Sequence, residues 1–311
     1  MLTMDQSSYT TEEIARLLKV SKLTVYDLIK KGELQAYRVG RQMRIDAADL
    51  EAYKHRGKQE KDSGHLNAVK PPSAHAGLTG QFVISGQDTS LDILARTLDL
   101  EDSGMRPLRS YVGSLDSLIS MYKGEADIVS THLFDGDTGD YNVPYIRKIL
   151  VSKSFIVVKF IKRMAGLYVA QSNPKNITTW ADIAQKGIKL INREPGAGAR
   201  VLLDEQLRIH NIDHTSIDGY DNVVYSHQDI ASAVASGQAD VGIGIEHAAL
   251  TANIAFVPMI EESYDLVMLK TAENTPIRSH LLSILNNKDF QNKLAAIGYG
   301  VEGMGDILWE Q

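Results

Sequence analysis

Residues Tyr111 to Tyr145 read YVGSLDSLISMYKGEADIVSTHLFDGDTGDYNVPY, and the fold follows from this stretch. Leu115, Leu118, Ile119 and Tyr122 recur at i, i+3, i+4 and i+7, which predicts an amphipathic helix with Ser114 as its N-cap and Gly124 as its stop. Ala126 to Val129 then reads as a short buried strand. Its end, Ser130-Thr131-His132, would lie beside the helix start in a βαβ arrangement. The design recurs from Val224 to Ile245, with Ser226 as N-cap, Ile230, Ala233 and Val234 as the apolar face, Gly237 as the stop and Gln238-Ala239-Asp240-Val241 entering a strand. Two copies of helix, Gly-x-Ala-Asp and strand predict two α/β lobes, each offering a helix N-terminus to the cleft between them. Free N–H groups and the helix dipole make such a cleft an anion site. The identical placement of Asp127 and Asp240 before strands makes them structural turn residues, not a catalytic carboxylate pair.

The 311 residues suffice for two or three domains and a substantial core. The absence of cysteine excludes disulfides, thiolate metal sites and cysteine nucleophiles, and fits a reducing compartment. The first twenty residues lack the basic and apolar regions of a secretory signal, and no run approaches the roughly 18 apolar residues of a membrane span. The chain is therefore expected to be cytoplasmic, with no membrane partner. Charge is divided unevenly within the net −6: Met1 to Lys58 holds eleven Lys and Arg against eight Asp and Glu, a balance of +3, and the remainder carries −9. Only the basic head is suited to a polyanion.

In that head, Thr10 or Thr11 with Glu13 forms a capping-box pattern, and Ile14, Leu17 and Leu18 give an apolar face. Val20-Ser21 is a tight turn, with Ser21 capping a second helix that buries Val25, Leu28 and Ile29. This is a helix-turn-helix. Leu34 to Val39 and Gln42 to Ile45 predict a hairpin wing, and Ala47 to Tyr53 a closing helix. T-x-E-E-I-A-x-L-L-x-V-S-x-x-T-V-Y-x-L-I-K-x-G-E-L, R-V-G-R-x-x-R-I and D-L-E-x-Y resemble the excisionase and MerR-like winged helix-turn-helix family. The resemblance implies double-stranded DNA as partner, with Lys22, Thr24 and Tyr26 on the recognition helix and Arg38, Arg41 and Arg44 on the wing. The competing reading makes these solvated charges on a protein-interaction domain.

The polar stretch from His55 to Gly80, with Pro71-Pro72, reads as a linker. The domain plan is thus 1–55 for the DNA-binding head, 56–80 for the linker and 81–311 for the body. The body opens with a strand at Phe82-Val83-Ile84, a donor-rich turn from Ser85 to Ser90 and a helix from Leu91 to Leu98. Ser154 to Phe160, Gly166 to Ala170 and Ala255 to Leu269 are strand-like crossings between lobes. Two α/β lobes joined by two crossings form the plan of a type II periplasmic-binding-protein-like body.

V-G-S-L-x-x-L, T-H-L-x-D-x-x-T-G-x-Y-N-x-P-Y, N-R-E-P-G-A-G-A-R-x-L-L-D and A-V-A-S-G-x-A-D-x-G-x-G-I resemble the cytoplasmic molybdate-binding-protein-like domain. With a DNA-binding head, the resemblance implies a transcription regulator that senses molybdate or tungstate, with no further cofactor. It departs from the family in Ala197 and Ala199, where members carry Ser or Thr, leaving that turn backbone donors only.

A tetrahedral dianion has acceptors only and needs converging donors. The candidates are Ser85, Thr89, Ser114, Thr131, His132, Arg193, Gly198, Arg200, Ser226 and His227; for each Ser the competing role is a plain N-cap. His132 is equally able to hydrogen-bond across the crossing, and one of Arg193 and Arg200 is expected to pair with Glu194 or another acidic neighbour. His210 and His214 lack a third ligand, so no free metal cation is expected. No nucleophile and base fall together, so no enzyme is indicated. A transport or storage protein for an oxyanion is the alternative function, and an excisionase-like recombination accessory a third. Two operator half-sites would require a homodimer.

Overall fold

The computed structural model describes residues 8–18, 20–30, 34–39, 42–47, 49–50, 53, 80–100 and 106–311. Arg41 and residues 56–79 of the stretch read as a linker lie outside them. The chain divides into two compact units, Met1–Val69 and Lys70–Gln311, each described by itself.

In the first unit, strand β1 (Ser8–Thr10) leads into helix α1 (Thr11–Leu18), followed by α2 (Lys22–Lys30), β2 (Tyr37–Val39) and β3 (Gln42–Asp46). The capping box forms as read: the Thr10 N–H donates to Glu13 Oε2 and the Glu13 N–H to Thr10 Oγ1. Ser21 caps α2 by accepting from the Thr24 N–H. The wing is the β2–β3 hairpin, to which β1 adds an antiparallel third strand that no sequence pattern announced. Ile14, Val25, Leu34, Ile45 and Leu50 close a small core, and Ala47, Asp49, Leu50 and Tyr53 are helical.

The second unit runs β4 (Gln81–Ser85), α3 (Thr89–Leu100), β5 (Arg106–Ser110), α4 (Ser114–Lys123), β6 (Ile128–Thr131), α5 (Val143–Ile149), β7 (Phe155–Val169), β8 (Leu190–Arg193), α6 (Gly198–Ile209), β9 (Val223–Val224), α7 (His227–Ala235), β10 (Val241–Ile245), α8 (Glu246–Ala252), β11 (Ala255–Leu269), α9 (Thr275–Leu285), α10 (Lys288–Ala295) and β12 (Ile307–Glu310). The sheet order β5-β4-β6-β11-β7-β10-β8-β9 places a parallel trio at each end and the antiparallel β7–β11 pair between them, with β12 on β7. Helices cover both faces of each trio, so every lobe buries an apolar cluster on either side of its sheet.

β7 and β11 are 15 residues each and pair from Phe155↔Leu269 to Ala255↔Val169. One continuous strand thus replaces the two pieces, Ser154 to Phe160 and Gly166 to Ala170, expected from the sequence. The intervening Ile161 to Ala165 broke the apolar pattern because it contains Arg163, which is nevertheless buried opposite Glu262. A second correction concerns α4. Its N-cap is Gly113, whose carbonyl accepts from the Ser117 N–H, so Ser114 is the first helical residue. Gly124, at φ 81°, ends α4 as expected. Asp127 Oδ2 accepts from the Val83 N–H and Asp240 Oδ2 from the Lys189 N–H, both at 2.8 Å, so each carboxylate ties the turn before a strand to the neighbouring one.

Candidate functional site

The N-termini of four helices meet around one cavity between the lobes. It is lined by Thr89 at α3, Gly113 and Ser114 at α4, Ala197 and Gly198 at α6, and His227 and Gln228 at α7, together with Gly86, Gln87, Asp88, Val112, Ser130, His132, Arg163, Arg193, Ile245 and Tyr264. Each helix is long enough for its dipole to act at its tip, although some first-turn N–H groups are already taken, Ser90 by Asp88 Oδ1, Leu115 by the Gly196 carbonyl and Asp229 by Ser226 Oγ. The volume, about 40 Å³, admits roughly three water-sized bodies. That suits a small ion.

The lobes are closed on each other. The Leu115 N–H donates to Gly196 O at 3.0 Å, and Arg193 Nη2 donates to Gln87 Oε1. Two glycines permit the approach. A Cβ on Gly113 would stand 3.1 Å from the Ala197 backbone, and one on Gly198 would enter the His132 ring at 2.5–2.6 Å.

The floor is a buried ionic network built on the crossings. Arg163 of β7 pairs with Glu262 of β11, directly opposite, and with Asp88 before α3; its guanidinium lies 4.4 Å from the Tyr264 ring centre. Burial alone would raise the Glu262 carboxyl, but Arg163 and His132 outweigh it and hold it at about 2. Asp88 Oδ1 also accepts from the Ser90 N–H and the Tyr299 hydroxyl. Burial pushes the Tyr264 phenol up to about 12, and its oxygen accepts from Ser130 Oγ at 2.7 Å. Arg193 is likewise satisfied, by Glu194 at 2.7 Å and the Tyr225 carbonyl at 3.1 Å. The cavity's arginines are therefore compensated by carboxylates, and uncompensated positive potential comes from the helix termini. Nδ1 of His227 is sealed without a hydrogen-bond partner among the described residues, and burial, then Arg193 and Arg163, hold that ring well below the ordinary imidazole range.

Six of the ten residues read as ligand contacts line this cavity: Thr89, Ser114, His132, Arg193, Gly198 and His227. Four do not. Ser85 Oγ is spent on Ser117 Oγ at 2.9 Å, and Thr131 Oγ1 on Asn142 Oδ1. Arg200 lies 4.0 Å from the Tyr220 ring centre and pairs with Asp204. Ser226 accepts from the Asp229 N–H as the cap of α7. His132 Nδ1 faces Glu262 across the crossing while its ring lines the cavity. Asp88, Arg163, Glu262 and Tyr264 were missed; a charged residue inside a long apolar strand was the available signal for Arg163. His210 bonds the Gln206 carbonyl while the His214 ring lies tilted against Tyr220, 4.7 Å between centres, and among the described residues no group of metal-ligating side chains gathers.

In the first unit, Lys22 is paired with Glu12, Thr24 Oγ1 is 2.8 Å from Ser21 Oγ, and Tyr26 and Arg38 are exposed. Arg44 is half-buried, with Nη1 at 3.5 Å from the Ser8 carbonyl.

A two-lobed sheet with helix tips around its cleft is the architecture of periplasmic-binding-protein-like domains. The chain belongs to the PBP superfamily: the model of the PBP superfamily domain matches residues 95–286, and a helix-turn-helix domain model matches residues 8–58. The uncharacterized protein YvgK of Bacillus subtilis (strain 168) is 47% identical over 310 residues, 98% of this chain and 99% of that protein. Among solved structures, the sulfate-binding protein SubI from Mycobacterium tuberculosis aligns at TM-score 0.50 and 16% identity, over 71% of this chain and 86% of its own. A hydrogen peroxide-bound mutant of OxyR from Corynebacterium glutamicum aligns at TM-score 0.51 and 14% identity, over 93% and 90%. These two similarities concern the fold. No helix among the described residues is long and apolar enough to cross a membrane.

Proposed function

We propose that the chain is a transcription regulator that binds DNA through its helix-turn-helix unit and senses a small tetrahedral oxyanion, molybdate or tungstate, in the interlobe cavity. The observation that carries the ligand class is the meeting of four helix N-termini around a cavity of about 40 Å³. Such termini offer N–H donors and positive potential to an acceptor-only dianion, whereas a sugar or amino acid also needs acceptors. Ser114 and Thr89 add hydroxyl donors. Asp88, the carboxylate that reaches the cavity, has its oxygens occupied by Arg163, Ser90 and Tyr299. A regulator places the protein in the cytoplasm and, given paired half-sites, as a homodimer. Particles of two chains are expected in light scattering, and a single chain both with and without DNA would remove the dimer.

The ligand assignment is tested by melting the full chain with molybdate, tungstate, sulfate and phosphate. A ligand at a hundredfold excess over its Kd stabilises the folded state by about 2.7 kcal/mol. Molybdate and tungstate are expected to raise the melting temperature most, with sulfate, whose bonds are shorter, losing contacts. No shift from any of the four at millimolar concentration would remove the oxyanion.

A further inference from the structure

We infer that His132, held by Glu262, couples binding to a proton: each fully ionised oxyanion enters the cavity together with one proton taken up at His132 Nε2. The inference rests on the oxyanion reading above and names the residue that discriminates among oxyanions.

His132 Nδ1 lies 3.2 Å from Glu262 Oε2 and 3.4 Å from Arg163 Nη2. A bare Nδ1 would turn its lone pair on the closer carboxylate oxygen, so the proton of the neutral ring belongs on Nδ1, donated to Glu262. That leaves Nε2 with a lone pair. The ring lines the cavity, and Nε2 makes no hydrogen bond among the described residues. An acceptor-only anion would meet that lone pair with its own oxygen. Protonation of Nε2 converts repulsion into a charge-assisted hydrogen bond.

The surroundings are poised for the exchange. Glu262 on β11 and Asp88 before α3 favour a positive ring; Arg163 on β7, Arg193 on β8, His227 on α7 and the N-terminus of α6, seated on the ring through Gly198, oppose it. The neutral Tyr264 ring lies 5.3 Å away, centre to centre. An incoming dianion tips this balance towards imidazolium. Among the described residues no carboxylate is hydrogen-bonded to His227, the other imidazole in the cavity, and burial and the charge of Arg193 oppose its protonation, so it is the poorer proton acceptor. Molybdate, tungstate and sulfate arrive without a proton and require the uptake. Hydrogen phosphate carries its own and can donate it to a bare Nε2.

The test is calorimetric titration of the full chain with molybdate, and in parallel with phosphate, in buffers of different ionisation heat. Between about pH 7.5 and about pH 8.5, uptake approaching one proton per molybdate and an affinity loss of up to about tenfold are expected, with a weaker dependence for phosphate. His132→Gln, whose amide donates without titrating, is expected to bind molybdate with no uptake and a flat profile, whereas His227→Gln keeps the uptake. Molybdate binding with no proton uptake in the unaltered chain overturns the inference. Uptake that survives His132→Gln and disappears in His227→Gln overturns it as well. Heat from none of the anions at either pH would instead remove the oxyanion reading, and this inference with it.

Discussion

Arg163 is the residue on which the cleft depends most. It is buried between Asp88 and Glu262, and removing one member of such a network leaves charge unpaired in a dry interior. Arg163→Met is expected to cost about 3–5 kcal/mol in urea unfolding at neutral pH. The sign with pH is fixed by Glu262. Its carboxyl, held at about 2, lies below the ordinary value of 4.5, so its contribution is full above the latter and is lost as pH falls towards the former. Without Arg163 the buried Glu262 carboxyl can take up a proton, and the deficit of Arg163→Met should shrink on acidification to about pH 4. An equal deficit at both pH values would show that lost packing, not unpaired charge, is responsible. The paired serines separate a cap from a contact. Ser226→Ala should lower stability by about 1 kcal/mol with little change in oxyanion affinity, since its hydroxyl is occupied at α7. Ser114→Ala, at the cavity wall, should weaken affinity measurably by calorimetry; the reverse pattern would move the site. Ser226 was legible because a cap is local. Ser85 and Thr131 were not, because their partners, Ser117 and Asn142, are set by packing between elements.

At the scale of elements, the helix and strand boundaries that local chemistry controls were readable. Gly124 ends α4, Ala255–Leu269 is one crossing as expected, and Thr10 with Glu13 boxes the start of α1. What escaped was long-range pairing: β1 joining the wing, and β7 running unbroken through Arg163 because Glu262 stands opposite in register. The same limit applies to the wing arginines. Spacing treats Arg38 and Arg44 alike, yet Arg38 is exposed and Arg44 half-buried beside the Ser8 carbonyl. A free arginine that neutralises a phosphate contributes roughly 0.9 to the log-log salt slope of DNA binding. Arg38→Ala should lower that slope by about this amount and Arg44→Ala by less. Equal slopes for both variants and the unaltered chain would place the phosphate contacts elsewhere. Lys22 must leave Glu12 to reach a base, so Lys22→Ala should alter sequence preference more than slope.

At the scale of the whole molecule, the Gly-x-Ala-Asp repeat revealed two equivalent lobes, and the charge division separated a basic head from an acidic body. The family match places this body in the PBP superfamily, and residues 8–58 match a helix-turn-helix domain. The pairing of Arg193 with its neighbour Glu194 was open to a sequence reading, but neither the composition nor the repeat could show that Arg163 is already neutralised, because that depends on Asp88 and Glu262, two carboxylates brought in from distant segments. Under the proposed function, oxyanion occupancy of the body is expected to change DNA binding by the head. A ligand does this only if it has different affinities for the DNA-bound and free forms, and the coupling is reciprocal. The most direct measurement is fluorescence anisotropy of the full chain on a duplex selected by that chain from random DNA, titrated with and without saturating molybdate or tungstate. The expected result is a shift in DNA affinity of about 5- to 150-fold, the usual range of such coupling, matched by an equal shift in oxyanion affinity when DNA is present. Tight DNA binding that is indifferent to an oxyanion shown by calorimetry to be bound would contradict it.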